Sequence, residues 1–350
     1  MIKLTEKQKN KIITWIVSIV IGALIGRFYT EMTSSARGAA EIAHYPGVRA
    51  GLLIAGLSAG LEIFLIAGPL GRWLFKRPFY QTLFFRLLAH WVLITGGLLF
   101  GYQMTGWLTG NSESGYGTRW FLSDTLIAFS VLAFALFFIQ MRTLIGGRML
   151  INLLTGRYHR PVEEERLFLL IDVVGSTALA KRLGDKAFYS FLSDFIADID
   201  PFIFESKGEI YSYVGDAVIV TWPLQQNQSN SRVVKALVLC QARLKKRSAW
   251  YLKRYQTTPK FRAVLHGGKV FTGEYGGYRR QITYLGEVLN TTARLETLCK
   301  NLNVDVLLSD AATKMVTLPD GITLSEKGEH LVKGLEEPLK VFSLDLDQVA

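Results

Sequence analysis

Two aspartates, Asp172 and Asp216, each follow an apolar run and stand beside a glycine turn: LFLLIDVVGST from Leu167, and EIYSYVGDAVIVTW from Glu209 to Trp222. Carboxylates at the ends of neighbouring strands converge on one space. Such a pair can hold two divalent ions about 3.5–4 Å apart, a spacing that suits in-line attack on phosphorus. One ion lowers the pKa of an attacking hydroxyl and both offset phosphate charge. After Asp172, the backbone amides at Gly175, Ser176 and Thr177 open a helix and offer an anion site for a triphosphate. Farther along, Asn290 and Arg294 are spaced to share one helical face. An amide and a guanidinium there can orient a ribose and stabilise charge developing on a pentavalent phosphorus. Each feature alone has a plainer reading: a strand-end aspartate caps or turns the chain, and Asn290 with Arg294 makes an exposed polar face.

The elements that position these residues are read from pattern. LFLLI predicts a buried strand, followed by a helical pattern from Ala178 to about Ser206. Two short strands flank the Gly215-Asp216 turn, and a helix runs from about Ser231 to Trp250. Phe261 to Tyr275 reads as a strand pair broken at Gly267-Gly268. QITYL is a further strand, leading into a helix through GEVLNTTARLE. The order βαββαβ, with additions, predicts an α+β fold, a sheet with helices on one face.

LFLLIDVVGST, EIYSYVGDAVIVTW and ITYLGEVLNTTARLE, in that order, resemble the catalytic domain of class III adenylate/guanylate cyclases. The resemblance runs from about Leu167 to Leu344 and includes VKGLEEPLKVFSL near the end. It implies a ferredoxin-like, palm-type catalytic domain that converts ATP to 3′,5′-cyclic AMP with two divalent ions, Mg2+ or Mn2+. It also implies roles for single residues. Asp172 and Asp216 match the metal-binding aspartates, Asn290 and Arg294 the transition-state pair, and Lys340 a phosphate-binding lysine. Family members act as dimers in which the aspartates of one subunit face the Asn/Arg pair of the other, so this chain is expected to form a homodimer with sites at the subunit interface. Adenylate cyclases of the family usually carry Lys where this chain has Ser212. The partner position is Thr283, a residue found there in some of them. Guanylate cyclases usually carry Glu and Cys, and neither is present, so ATP is the expected substrate. The family's Asp after the last motif's glycine is Glu287 here. A guanylate or mixed-specificity cyclase and a catalytically silent nucleotide-binding module are the alternatives. A diguanylate cyclase is disfavoured, because no GGDEF-type turn follows a strand.

The rest of the chain is of another kind. Four stretches are long and apolar enough to cross a bilayer, roughly Ile12–Phe28, Val48–Leu70, Thr82–Met104 and Phe121–Met141. Lys3, Lys7, Lys9 and Lys11 precede the first; Arg72, Lys76 and Arg77 separate the second and third; Arg142 and Arg148 follow the fourth. The positive-inside rule then places both termini and the catalytic domain in the cytoplasm of a multi-pass protein of the inner (plasma) membrane. No cleavable signal peptide is expected. The division is 1–141 transmembrane, 142–166 a linker or signalling helix, and 167–345 catalytic. The formal charge of +11 is assigned to the lipid bilayer rather than to nucleic acid, since no recognition motif accompanies it. Cys240 and Cys299 show no metal spacing and read as small buried hydrophobes. Within the spans, Arg86 and Asp124 are placed near ends, where they can snorkel. Glu62 and His90 are placed at equal depth, roughly 14 Å into the bilayer, and are expected to pair.

Overall fold

The computed structural model describes residues 6–37, 46–66, 77–109, 118–145, 151–152, 154–224, 230–278, 280–332 and 334–346. The chain divides into two compact units, Met1–Leu144 and Ile145–Ala350.

The first unit is helical: α1 (Glu6–Arg37), α2 (Pro46–Gly60) running into a π-helical turn (Leu61–Ile66), α3 (Phe79–Thr109) and α4 (Thr118–Ile145). Each contains a stretch long and apolar enough to cross a membrane: Lys11–Thr33, Gly47–Ile66, Phe79–Gly101 and Phe121–Ile139. The expected end of the second span at Leu70, with the cations Lys3, Arg72, Lys76 and Arg148, lies outside the described residues. Helices α1 and α2 meet backbone to backbone through glycines. A Cβ on Gly26 would lie 1.9 Å from the carbonyl oxygen of Gly47, and one on Gly51 would lie 2.2 Å from that of Gly22. Small residues give apolar helices this close approach where no hydrophobic effect drives them together.

The buried polar groups of this unit are paired differently from expectation. Arg86 and Asp124 do not snorkel; they are 7% and 4% exposed. Asp124 accepts a hydrogen bond from the Tyr29 hydroxyl at 2.6 Å. Glu62, in the π-helical turn, is held by Arg86, whose Nε donates to Oε1 at 3.1 Å and whose Nη2 meets Oε2. His90 Nδ1 donates to the Arg86 carbonyl at 2.7 Å, and its Nε2 lies 3.7 Å from Glu62 Oε1. Glu62 and His90 are therefore neighbours, with Arg86 as the carboxylate's main partner. The reason is energetic: a guanidinium and a carboxylate in apolar surroundings each cost more alone than together.

The second unit is an eight-stranded mixed sheet with helices. Its elements are β1 (Val162–Val173), α5 (Ser176–Leu183), α6 (Asp185–Glu205), β2 (Glu209–Val214), β3 (Ala217–Pro223), α7 (Arg232–Lys246), α8 (Ser248–Tyr255), β4 (Phe261–Tyr275), β5 (Gln281–Leu285), α9 (Glu287–Asn301), β6 (Val306–Ser309), α10 (Asp310–Met315), β7 (Leu324–His330) and β8 (Leu339–Leu344). The strand order is β2-β3-β1-β4-β6-β8-β7, with β5 paired to β4 beside this path.

Strand β1 is central, antiparallel to both β3 and β4. Leu167, Leu169, Ile171 and Val173 face a core with Phe191, Phe195 and Leu237 from α6 and α7. Phe168 faces the other way, onto Val270, Tyr284 and Val288 of β4, β5 and α9. Helices thus cover both faces, not the single face expected. The unbroken apolar run of β1 is the cause, since a strand without alternation is buried on both sides.

Three boundaries also differ from the sequence reading. The helical stretch from Ala178 to Ser206 is cut at Gly184, whose φ of 75° ends α5 before α6 begins. The stretch ending at Trp250 is likewise two helices, α7 and α8. Strand β4 runs unbroken through Gly267 and Gly268, which pair with Leu167 and Arg166 of β1. Gly267 makes room rather than a turn: a Cβ there would lie 2.2 Å from the sulfur of Met315.

Candidate functional site

Asp172 is the penultimate residue of β1 and only 6% exposed. Asp216 sits in the β2–β3 turn, where Gly215 takes a φ of 63° that a side chain would resist. The pairing of β3 with β1 brings that turn beside the end of β1. The two carboxyl groups come within hydrogen-bonding reach of each other. Burial pushes the Asp172 carboxyl up first, then the hydrogen bond and charge of Asp216, while Lys300 opposes the rise. Asp216 Oδ2 is buried and has no hydrogen-bond partner among the described residues. Two adjacent carboxylates, one with an orphaned oxygen, form a site that favours a cation. Divalent ions fit this donor set, although among the described residues no group of three or more His, Cys, Asp or Glu side chains gathers here.

Helix α5 opens directly after this strand. Gly175 caps it in the left-handed region at φ 71°, with no side-chain hydrogen bond to its first amides. The amides near Ser176 and Thr177 are thus presented close to Asp172 in sequence and space.

Sequence reasoning missed Lys300, on α9. Its ammonium lies 3.2 Å from Asp172 Oδ2 and also pairs with Glu296. No local pattern marks it, because the contact depends on how α9 crosses the sheet. Arg262 was missed as well. It stands opposite Asp172 in the β1–β4 register, and its Nε is buried without a hydrogen-bond partner among the described residues.

The remaining residues are dispersed. Asn290 is exposed on α9, and Arg294, one turn on, is half-buried with its guanidinium against Gly334. Among the described residues, no hydrogen bond or ion pair joins either to the two aspartates within one chain. Lys340, on β8, makes a cross-strand pair with Glu326 at 2.9 Å. Ser212 and Thr283 are half-buried on β2 and β5, and the strands carrying them meet where the rings of Tyr211 and Tyr284 stand 4.9 Å apart. The Thr283 hydroxyl is buried without a hydrogen-bond partner among the described residues.

Residues 163–345 match the family described as the adenylate and guanylate cyclase catalytic domain. Adenylate cyclase 2 of Rhizobium meliloti (strain 1021) is 38% identical over 209 residues, which are 60% of this chain and 58% of that protein. An adenylate cyclase of Anabaena cylindrica is 25% identical over 182 residues, 50% of this chain and 36% of its own. The chain therefore spans less than two thirds of either relative. Among solved structures, a bacterial light-regulated adenylyl cyclase superposes with a TM-score of 0.52 at 16% identity, covering 67% of this chain and 68% of that one. That likeness is one of fold.

Proposed function

This chain belongs to the adenylate and guanylate cyclase catalytic domain family, and on that premise we propose that it is a membrane-anchored adenylate cyclase, forming 3′,5′-cyclic AMP and pyrophosphate from ATP. The observation that carries the reading is the meeting of Asp172 and Asp216, with Oδ2 of Asp216 buried and unpartnered. These two side chains would hold two divalent ions, Mg2+ or Mn2+. When bound, the ions acidify the ribose 3′-hydroxyl and offset charge on the phosphates.

In the reaction, the 3′-oxygen attacks the α-phosphorus, the bond to the pyrophosphate oxygen breaks, and the hydroxyl proton leaves to solvent. The amides of Gly175, Ser176 and Thr177 cradle phosphate oxygens at the start of α5. Asn290 orients the ribose and Arg294 stabilises charge building on phosphorus. Both lie apart from the aspartates of their own chain, which supports a homodimer in which one subunit's aspartates meet the partner's Asn/Arg pair. Ser212 and Thr283 face adenine, the free Thr283 hydroxyl serving the base. Lys340 reaches phosphate by leaving its surface pair with Glu326. The bundle anchors the chain in the plasma membrane with the catalytic unit in the cytoplasm.

The deciding experiment is mass-spectrometric identification of the product from ATP and from GTP, each with Mg2+ or Mn2+, using the full chain in detergent. Cyclic AMP as the main product is expected. A preference for cyclic GMP would reassign the substrate, and no cyclic product from either would make the domain a silent binding module.

A further inference from the structure

Arg166 takes no part in the chemistry above, yet its side chain is only 1% exposed. Its Nε donates to Glu164 Oε1 at 2.6 Å and its Nη1 to Glu209 Oε2 at 3.0 Å. Nη2 donates to the Tyr158 hydroxyl at 3.3 Å, and the guanidinium carbon lies 4.5 Å from the ring centroid of Tyr284. Glu164 is itself fixed by the Thr272 hydroxyl at 2.5 Å. For stability alone, apolar residues of similar volume would serve as well as a buried ion cluster. What the cluster adds is geometry.

Among the described residues, strands β2 and β5 each pair with a single neighbour, β3 and β4 respectively. Both are therefore free along one edge. Arg166, on β1, reaches both: β2 through Glu209 and β5 through the Tyr284 ring. Tyr211 closes the arrangement, its ring 4.9 Å from that of Tyr284. It occupies the bulge where the β2–β3 register passes from Ile210 to Ser212. Each member stands one residue from a base position, Tyr211 beside Ser212 and Tyr284 beside Thr283.

We propose that Arg166 is a positioning residue for base selection: through Glu209 and the Tyr284 ring it fixes β2 and β5, and with them Ser212 and Thr283, in one mutual geometry. This rests on the reading of those two positions as the adenine pocket. The two are tested by different readouts: product identity in the unaltered enzyme tests the pocket's substrate, and the variants test the clamp.

The test measures kcat and KM for ATP and GTP, with melting temperature, on the full chain in detergent. Tyr284→Leu removes the ring and should lower the ATP/GTP ratio of kcat/KM at least about five-fold, mainly through a higher KM for ATP. Tyr284→Phe keeps the ring and should hold the ratio within about two-fold. Glu209→Gln loosens β2 while Glu164 still neutralises Arg166, and it should shift the ratio in the same direction. Trp222→Phe, which weakens the core on the opposite face, should leave the ratio unchanged. Should Tyr284→Leu fail to fold, Glu209→Gln decides alone. Folded Tyr284→Leu and Glu209→Gln variants that keep the ratio, or that lose activity toward both nucleotides equally, would overturn the clamp. Absence of any cyclic product from the unaltered enzyme would overturn the functional reading and this one with it.

Discussion

Acidification should destabilise the catalytic unit through His266. This residue lies half-buried on β4, and burial lowers its pKa from 6.5 to about 4. Its Nδ1 lies 2.7 Å from the Ser309 hydroxyl oxygen, which also accepts the amide of Ala312 at the start of α10. The Ser309 hydroxyl can donate its own proton to a neutral Nδ1, and burial disfavours the charged imidazolium. The folded pKa lies below the unfolded one. Nothing is lost above about pH 6.5; below it the unfolded chain takes up a proton that the folded chain refuses, and stability falls as pH falls toward about 4. Between about pH 7.5 and about pH 5 this linkage amounts to about 2 kcal/mol, and partial exposure trims it to about 1–2 kcal/mol. For a unit of this size that is about 3–6 °C in melting temperature. The assay is the melting temperature of the full chain and of His266→Gln across that range. Asp172 works in the opposite direction, since its raised pKa favours the folded state as pH falls, but it is common to both proteins and cancels in the difference. The unaltered protein should lose the additional 3–6 °C at the acid end. Parallel curves would refute the assignment of a neutral, buried His266.

Three other outcomes are expected. Asp172→Ala and Asp216→Ala should each lower cyclisation by about two to three orders of magnitude, while mixing Asp172→Ala with Arg294→Ala chains should restore activity; co-assembled chains that stay inactive would exclude a shared site. Asp198, 2% exposed and bonded to Arg243, Arg247 and Tyr251, should cost about 3–5 kcal/mol when changed to Ala, a loss of about 10 °C in melting temperature. Gly26→Leu, whose Cβ would enter the Gly47 carbonyl, should part α1 from α2, read as lost cross-linking between cysteines introduced on the two helices.

What the sequence discloses follows from what is local. Asp172 and Asp216 are legible because each ends an apolar run beside a glycine, and β pairing then brings the runs together. Lys300 is illegible, because it meets Asp172 only through the crossing of α9 over the sheet. Arg166 lies hidden in EEERLFLL, where three glutamates suggest a solvated edge and nothing signals that two of the cluster's carboxylates fold inward. Gly267-Gly268 reads as a turn because the pattern cannot show Met315 pressing from α10. The depth argument set Glu62 level with His90, but depth ignores reach: Arg86, one turn away from His90, extends its long side chain to the same carboxylate.

The glycine seam between α1 and α2 bears on how the protein is made. Successive helices that touch backbone to backbone leave no room for a neighbour between them, so they are suited to enter the bilayer as one hairpin during synthesis. The first helix, whose apolar window is only 6% buried, takes most of its inward contact from the partner that follows it off the ribosome. A substitution at Gly22 or Gly26 would then act at birth as well as in the finished bundle. It would appear as reduced yield and chain degradation, with the surviving molecules close to normal in activity.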